Sequence, residues 1–395
     1  MPEQRSPEHL TKLLEFWNTP AQIKAIEAIR EHGNMNQASI ATGCHPTGLL
    51  RHVQRAEFAA AKRGYAPEHD ATKAVPQGQQ LKGLSTLYDR TGAIAQQWVK
   101  SMPDVDRQRE MMEQAARALA EDLPQVRAVK PPTNRLDHLM NVYPMGDPHF
   151  GMYSWAAETG NDFDLNIAES QVYAALDYLI KQSPNAKRGV LVNLGDYFHA
   201  ENMAGVTTRS GNVLDMDTRF DRMIDIGYRS MRFCIERLLK KHEQVEVINA
   251  PGNHDETMAK FMSIALKHQY EKEPRLKVHS EPTPRYYIEH GRVLVGVVHG
   301  DKTKDSELPG IMATEKSEAW GRTKHRYYYR GHHHHDTRHE YNGCIVEQMR
   351  TLAPGDAYAV GHGYLSGQDM KCIVHHKQFG EIARFTCGID IIRAA

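Results

Sequence analysis

Apolar residues in the first third of the chain recur at helical spacing, whereas those after residue 134 fall into short strand-length runs separated by longer helical ones. Residues 1–19 read as a short polar arm with one amphipathic turn around Leu13, Leu14, Phe16 and Trp17. From Pro20, Ile23, Ile26 and Ile29 recur every three residues, which predicts a helix ending at His32-Gly33. A second, short helix fits residues 35–42, Gly43 makes a turn, and residues 47–62 give a third helix. Residues 64–80 form a polar connector punctuated by Pro67, Pro76 and Gly78. Apolar runs at 81–88 and 93–99 flank Asp89-Arg90-Thr91-Gly92, a hairpin pattern with turn chemistry at its tip. A charged helix over about 104–122 follows, and Lys130-Pro131-Pro132 marks the next boundary.

Beyond that boundary, strand-like runs at 139–145, 189–194 and 245–250 alternate with helical ones around 167–181, 219–241 and 257–270. That alternation predicts an α/β layered arrangement. Past Arg285 the chain becomes strand-rich, with runs at 285–289, 292–299, 327–330, 344–349, 372–376 and 382–387. An α/β half followed by a β-rich half predicts two packed sheets with helices outside. The expected organisation is a small all-α helix-turn-helix domain over 1–63, a hairpin-plus-helix connector over 64–134, and one α/β domain over 135–395.

Composition narrows the function classes. Lysine plus arginine and aspartate plus glutamate each number 49, so no whole-chain charge argues for nucleic acid. No apolar run approaches the roughly 18–20 residues that span a membrane, and the N-terminus is polar rather than signal-like. The five cysteines (Cys44, Cys234, Cys344, Cys372, Cys387) are scattered and form no CxxC pair. They point to a reducing compartment and away from a disulfide framework or a thiolate zinc site. Histidine stands out at 23 residues, with His332 to His335 consecutive. An expression tag does not account for that run, which is internal and ends the strand-like segment His325-Arg326-Tyr327-Tyr328-Tyr329-Arg330.

Five polar clusters each end an apolar run: Asp147-Pro148-His149, Gly195-Asp196-Tyr197-Phe198-His199, Gly252-Asn253-His254-Asp255, His299-Gly300-Asp301 and Gly331-His332-His333-His334. Loops at strand ends can gather such clusters into one site. Asp147 and His149, two apart, can meet the same ion, and histidine and carboxylate ligands without sulfur suit manganese, iron or zinc. One carboxylate can hold two cations about 3.5–4 Å apart, which makes Asp196 a candidate bridge. Asn253 adds a neutral oxygen, and His299, His332 and His334 complete two nitrogen-rich shells. Water between two such ions loses its proton readily, and the hydroxide can attack a phosphorus in line. His254 and His199 remain free to contact the scissile phosphate or protonate the leaving oxygen. A lone Asp-x-His is usually a satisfied loop pair; five clusters in order are not.

In this order the clusters resemble the signature of the calcineurin-like metallophosphoesterases: D-x-H, G-D-x-x-D/H, G-N-H-D/E, H, and G-H-x-H. The resemblance implies a β-sandwich flanked by helices over about 136–395 and a dinuclear site for two divalent ions, manganese first, with iron, zinc or magnesium as alternatives. It implies one ion on Asp147, His149, Asp196 and His334, and the other on Asp196, Asn253, His299 and His332. The four-histidine run leaves a second register open, with His333 and His335 in place of His332 and His334. His199 in the second block looks like the SbcD-type DNA-repair nucleases, in which His199 and His254 would be the catalytic pair that binds no metal.

Ala38 and Ser39, Gly43, then Leu49 and Val53 match the small–turn–apolar spacing of a helix-turn-helix. Arg51, His52, Gln54 and Arg55 then fall on its recognition helix as candidate DNA contacts. Residues 20–63 carry six basic against three acidic residues. A small helical docking module fits the same pattern. The segment is similar to proteins of tailed phages and prophages, which would place the chain in a bacterial cytoplasm. The leading expectation is therefore a phage-encoded, metal-dependent DNA nuclease. The alternatives are a phosphatase for a phosphoprotein, nucleotide or small phosphoester, and a catalytically silent DNA-binding or packaging protein. DNA is the expected partner, no membrane is, and a homo-oligomer stays open.

Overall fold

A computed structural model of the chain describes residues 5–16, 18–67, 79–91, 94–104, 135–207 and 213–394, together with scattered single positions between these stretches. It divides into two compact units, Met1–Met112 and Glu113–Ala395.

In the first unit, helices α1 (Pro7–Leu14), α2 (Pro20–His32), α3 (Met35–Thr42) and α4 (Pro46–Lys62) enclose a small core. The expected polar arm is α1, with Ser6 capping the His9 amide at 3.1 Å and Leu10 and Leu13 buried. A leucine pair three residues apart gives that short helix an inward face, and Trp17 lies outside the described residues. Thr19 and Gln22 form a reciprocal capping box at the start of α2. Its buried face is Ala25, Ile26 and Ile29, while Ile23 is exposed, because the 3.6-residue turn carries a strict period of three off the core. Gly33 and Gly43 end α2 and α3 with φ of +74° and +68°, a conformation glycine adopts without penalty. Strands β1 (Gln79–Tyr88) and β2 (Ile94–Pro103) pair antiparallel, and the Asp89 carboxylate accepts from the Thr91 amide at 2.8 Å in the turn. Most of the helix expected over 104–122 lies outside the described residues.

The second unit contains two sheets. The six-stranded sheet has the order β13-β12-β3-β4-β5-β6, formed by β3 (Leu136–Met145), β4 (Ala186–Asn193), β5 (Gln244–Asn249), β6 (Leu276–Val278), β12 (Asp369–His376) and β13 (Gly380–Gly388). The five-stranded sheet has the order β10-β11-β9-β8-β7, formed by β7 (Tyr286–His290), β8 (Val293–Val297), β9 (His325–Arg330), β10 (Thr337–Tyr341) and β11 (Cys344–Gln348). Alternation assigns the faces. Met140 and Val142 of β3, Val190 and Val192 of β4, Val293, Val295 and Val297 of β8, and Tyr327 and Tyr329 of β9 share one core between the sheets. The intervening Tyr143 and Leu191 join helices Leu165–Gln182, Phe220–Lys241 and Glu256–Gln269 in a second core. Leu294 and Tyr328 face the helix Leu308–Glu315 in a third. The result is the expected helix-flanked β-sandwich. Strands β3 to β6 are parallel, as are β8, β9 and β11, so several strands deliver their carboxy ends to one edge.

Candidate metal centre

Each of the five clusters begins within a few residues of a strand's carboxy end. Asp147 and His149 follow β3, Asp196 and His199 follow β4, and Asn253 and His254 lie between β5 and the helix Glu256–Gln269. His299 follows β8, and the histidine run follows β9. Among the described residues, the non-glycine positions with positive φ are Asp147, His149, Asp196, His332 and His334, at 35°, 48°, 51°, 80° and 57°. Backbone strain is thus confined to candidate ligands. Glycines make room for them: a Cβ at Gly252 would lie 2.0 Å from Asp196 Oδ1, and one at Gly331 would lie 2.3 Å from Asp147 Oδ1.

The side chains converge. His334 Nε2 lies 3.0 Å from Asp147 Oδ2 and 3.2 Å from His149 Nε2. His299 Nε2 lies 3.1 Å from Asp196 Oδ2 and 2.9 Å from Asn253 Oδ1, while its Nδ1–H donates to the Leu194 carbonyl at 2.9 Å. Ligand atoms of Asp196, His299 and His332 all lie within 4.8 Å of one another, and so do those of His149, His199 and His254. His332 and His334 face this cluster, and the His332 amide donates to Asp147 Oδ2 at 2.6 Å. His333 and His335 are exposed, with rings stacked on each other at 5.8 Å between centroids.

His199 and His254 stack at 5.4 Å, and His199 Nδ1 lies 3.2 Å from His149 Nδ1. The His254 amide donates to Asp196 Oδ1 at 2.8 Å, and His254 Nδ1–H donates to the His199 carbonyl at 2.9 Å. That bond leaves Nε2 as the unprotonated nitrogen of the neutral His254 ring. Sequence reasoning gave Asp255 no task beyond its place in the motif. Its buried carboxylate accepts from the Gly252 amide at 3.0 Å and the Phe198 amide at 3.1 Å, tying two ligand loops together. Thr351, which carried no sequence signal, donates its hydroxyl to the Asp147 carbonyl at 2.7 Å. Glu201 accepts from the Thr257 amide at 2.8 Å at the start of the helix Glu256–Gln269.

Burial and charge act in opposite directions here. Burial disfavours a charge on His299, but the Asp196 and Asp147 carboxylates outweigh it and push its pKa up to about 10. Burial likewise opposes ionisation of Asp196, and His299 with its neighbouring histidines outweighs it, holding the carboxyl well below the usual range. Burial, reinforced by His254, takes His199 down to about 3. His332 falls to about 4 through burial and then His299. Burial and the adjacent Asp196 raise Asp255 to about 8.

These residues fit divalent cations. The donors are imidazole nitrogens, carboxylates and one amide oxygen, a set suited to manganese, iron or zinc. Asp147 Oδ1 and His199 Nε2 are buried without a hydrogen-bond partner. His149 faces another ring nitrogen at 3.2 Å from each of its own two, an arrangement that needs a proton or a cation between the lone pairs. The cluster opens into a cavity of about 500 Å³ lined also by Met152, His333, His335, Thr351, Tyr358 and Tyr364.

The candidate DNA contacts belong to the first unit. Arg51, Gln54 and Arg55 are exposed on α4, and His52 is half-buried. Of the other basic residues near the site motifs, Arg322 pairs with Glu289 at 2.6 and 2.7 Å, Arg219 precedes the helix Phe220–Lys241, and Arg209 lies outside the described residues. Among the described residues no helix is long and apolar enough to cross a membrane.

Residues 140–362 match the sequence profile of the family described as calcineurin-like phosphoesterase. No match was found among curated protein sequences. Among solved structures, an archaeal phosphodiesterase is similar at 12% identity and a TM-score of 0.33, over 63% of this chain and 99% of that one. A conserved uncharacterised protein from Streptococcus pneumoniae, described as a predicted phosphoesterase, is similar at 10% identity and a TM-score of 0.28, over 63% and 98%. Zinc-bound Vps29 from Entamoeba histolytica is similar at 12% identity and a TM-score of 0.26, over 63% and 99%.

Proposed function

The chain belongs to the calcineurin-like phosphoesterase family, and on that premise we propose that it is a dinuclear-metal phosphodiesterase acting on nucleic acid, a DNA nuclease of phage or prophage origin. One ion would be held by Asp147, His149, Asp196 and His334, and the other by Asp196, Asn253, His299 and His332, manganese being the first expectation. When bound, such a pair supplies a nucleophilic hydroxide at neutral pH and neutralises phosphate oxygens. The chain's own residues do the rest. The Leu194 carbonyl holds the Nδ1 proton of His299 and so turns Nε2 toward Asp196 and Asn253. The His199 carbonyl holds the Nδ1 proton of His254 in the same way, so the imidazolium form of His254 would give its Nε2 proton to the leaving oxygen and return to the neutral ring with its proton on Nδ1. Asp255 fixes the spacing of the Asp196 and Asn253 loops.

The observation that carries the nuclease reading is the position of His199: it ends the second cluster, lies buried against His149, stacks on His254, and has an unpartnered Nε2. A four-helix core with exposed Arg51, Gln54 and Arg55 supports a DNA substrate. A cavity of about 500 Å³ also suits a nucleotide or another small phosphoester, the second reading. Digestion of matched linear and circular DNA, single- and double-stranded, with manganese and an Asp196→Ala control decides between them. Cleavage of linear forms only means an exonuclease, and cleavage of circles an endonuclease. Turnover of a small phosphoester with every DNA intact would replace the first reading by the second.

A further inference from the structure

The segment between β11 and β12 forms a wall of the cavity that holds the metal centre and presents aromatic rings whose packing leaves them unused. Asp356 caps the short helix Ala357–Gly361 by accepting from the Ala359 amide at 2.8 Å, and Gln368 donates to the Leu352 carbonyl at 2.7 Å, which fastens both ends of the segment. Tyr358 and Tyr364 line the cavity yet are 61% and 64% exposed. His362 lies between them, 4.2 Å from the Tyr358 ring and 5.8 Å from the Tyr364 ring, centroid to centroid, the latter pair inclined by only 16°. The Tyr358 carbonyl can only accept, so His362 Nδ1–H donates to it at 2.8 Å and the imidazole is held in place. Each tyrosine therefore packs against His362 and leaves more than half of its surface to solvent. Large aromatic side chains exposed together beside a reactive centre suit a flat, hydrophobic ligand with polar edges.

We propose that Tyr358 and Tyr364, set by His362, form a nucleobase-stacking subsite that seats the base of the nucleotide next to the scissile phosphate. The subsite rests on the reading of the centre as one for nucleic-acid phosphoesters. The cavity suits this occupant: its volume is in the range of small-ligand sites, and the same space is lined by histidines that would serve the phosphate and by tyrosines that would serve the base. Stacking on tyrosine tolerates every base, so the subsite confers preference for nucleotides over other phosphoesters without sequence specificity.

The test is calorimetric titration of the manganese-loaded protein with a hydrolysis-resistant phosphonate analogue of 2′-deoxyadenosine 5′-monophosphate and with the same analogue lacking the base. The base should tighten binding at least about tenfold, in line with aromatic stacking elsewhere. Tyr358→Ala and Tyr364→Ala should each remove most of that advantage, and Tyr364→Phe should keep it. Equal affinity for the two analogues, failure of both to bind, or equal losses on both in the alanine variants would overturn the subsite. The nuclease reading fails separately, when manganese-loaded protein cuts no DNA. A base-dependent affinity in that case leaves the subsite standing as part of a nucleotide site.

Discussion

Asp147, His149, Asp196, His332 and His334 hold left-handed backbone that ordinary residues avoid, at about 1–3 kcal/mol each. The strain is tolerable where ligands must turn back toward a common point and bound cations stabilise the folded state. Asp196 is the member whose two oxygens serve different partners, Oδ2 toward His299 and Oδ1 toward the His254 amide. Asp196→Ala is expected to abolish metal binding at both positions, read as metal content by plasma mass spectrometry after dialysis; retained activity in that variant would sink the shared-ligand assignment. His254→Ala is expected to keep its metals and lose about 10²–10⁴-fold in turnover, the usual contribution of a positioned proton donor. Normal turnover would refute the role of its Nε2. The convergence of these side chains was legible in the sequence because histidine and aspartate at successive strand ends are chemically conspicuous. Asp255 and Thr351 were not, because their work is done on main-chain amides and a carbonyl, which leave no pattern along the chain.

Long elements with a buried face could be read from the sequence, since β3, β4 and β8 are buried on both sides and the helices around them are amphipathic. Short edge elements could not. Strand β6 has three residues, and β10 (Thr-Arg-His-Glu-Tyr) has no buried side chain to betray it. The helix Leu308–Glu315 opens on Pro309 and Gly310, which read as breakers, although proline is well tolerated in a first turn. Capping gives one prediction at this scale. Thr19→Ala, which removes half of the capping box of α2, should lower the stability of the helical unit by about 1 kcal/mol in urea unfolding followed by circular dichroism. His242 gives another, at the junction of the helix Phe220–Lys241 with the sheet. It donates from Nδ1 to the Ala186 carbonyl at 2.7 Å, and its Nε2 lies 3.0 Å from the Tyr143 hydroxyl. Burial lowers its pKa to about 4, against the carbonyl bond that favours the charged ring. A folded-state pKa below that of the unfolded chain means stability that is present above about pH 6.5 and lost as pH falls toward 4, at most about 3 kcal/mol for this group. The stability advantage of the wild type over His242→Gln should therefore shrink between pH 7 and pH 4.5. An advantage constant with pH would show that His242 does not titrate in that window.

At the scale of the whole molecule, the proposed action on a polyanion would require a chain with balanced charge to concentrate its electrostatic attraction locally. Lysine plus arginine and aspartate plus glutamate cancel at 49 each, while residues 20–63 keep six basic against three acidic groups. Within that unit the buried face of α4 is Leu49, Val53, Ala56 and Ala60, which leaves Arg51, Gln54 and Arg55 on the opposite side. Helices α2 to α4 and the turns between them were legible because Gly33 and Gly43 stand where left-handed backbone is required. Its partner was not, because an exposed arginine looks the same on a solvated face and on a DNA-binding one. Salt dependence separates the two. Each phosphate contact contributes about 0.9 to the slope of log affinity against log salt concentration. If Arg51 and Arg55 each contact a phosphate, replacing either by alanine should weaken duplex binding across unrelated sequences and reduce the slope by about 1, measured by fluorescence anisotropy between 50 and 200 mM salt. A uniform loss of that kind would make the helical unit an electrostatic tether that raises the local concentration of DNA for the metal centre. A slope unchanged in both variants would remove α4 from the DNA interface and leave the unit as a docking module for another protein, with any DNA cleavage then relying on the metal unit alone.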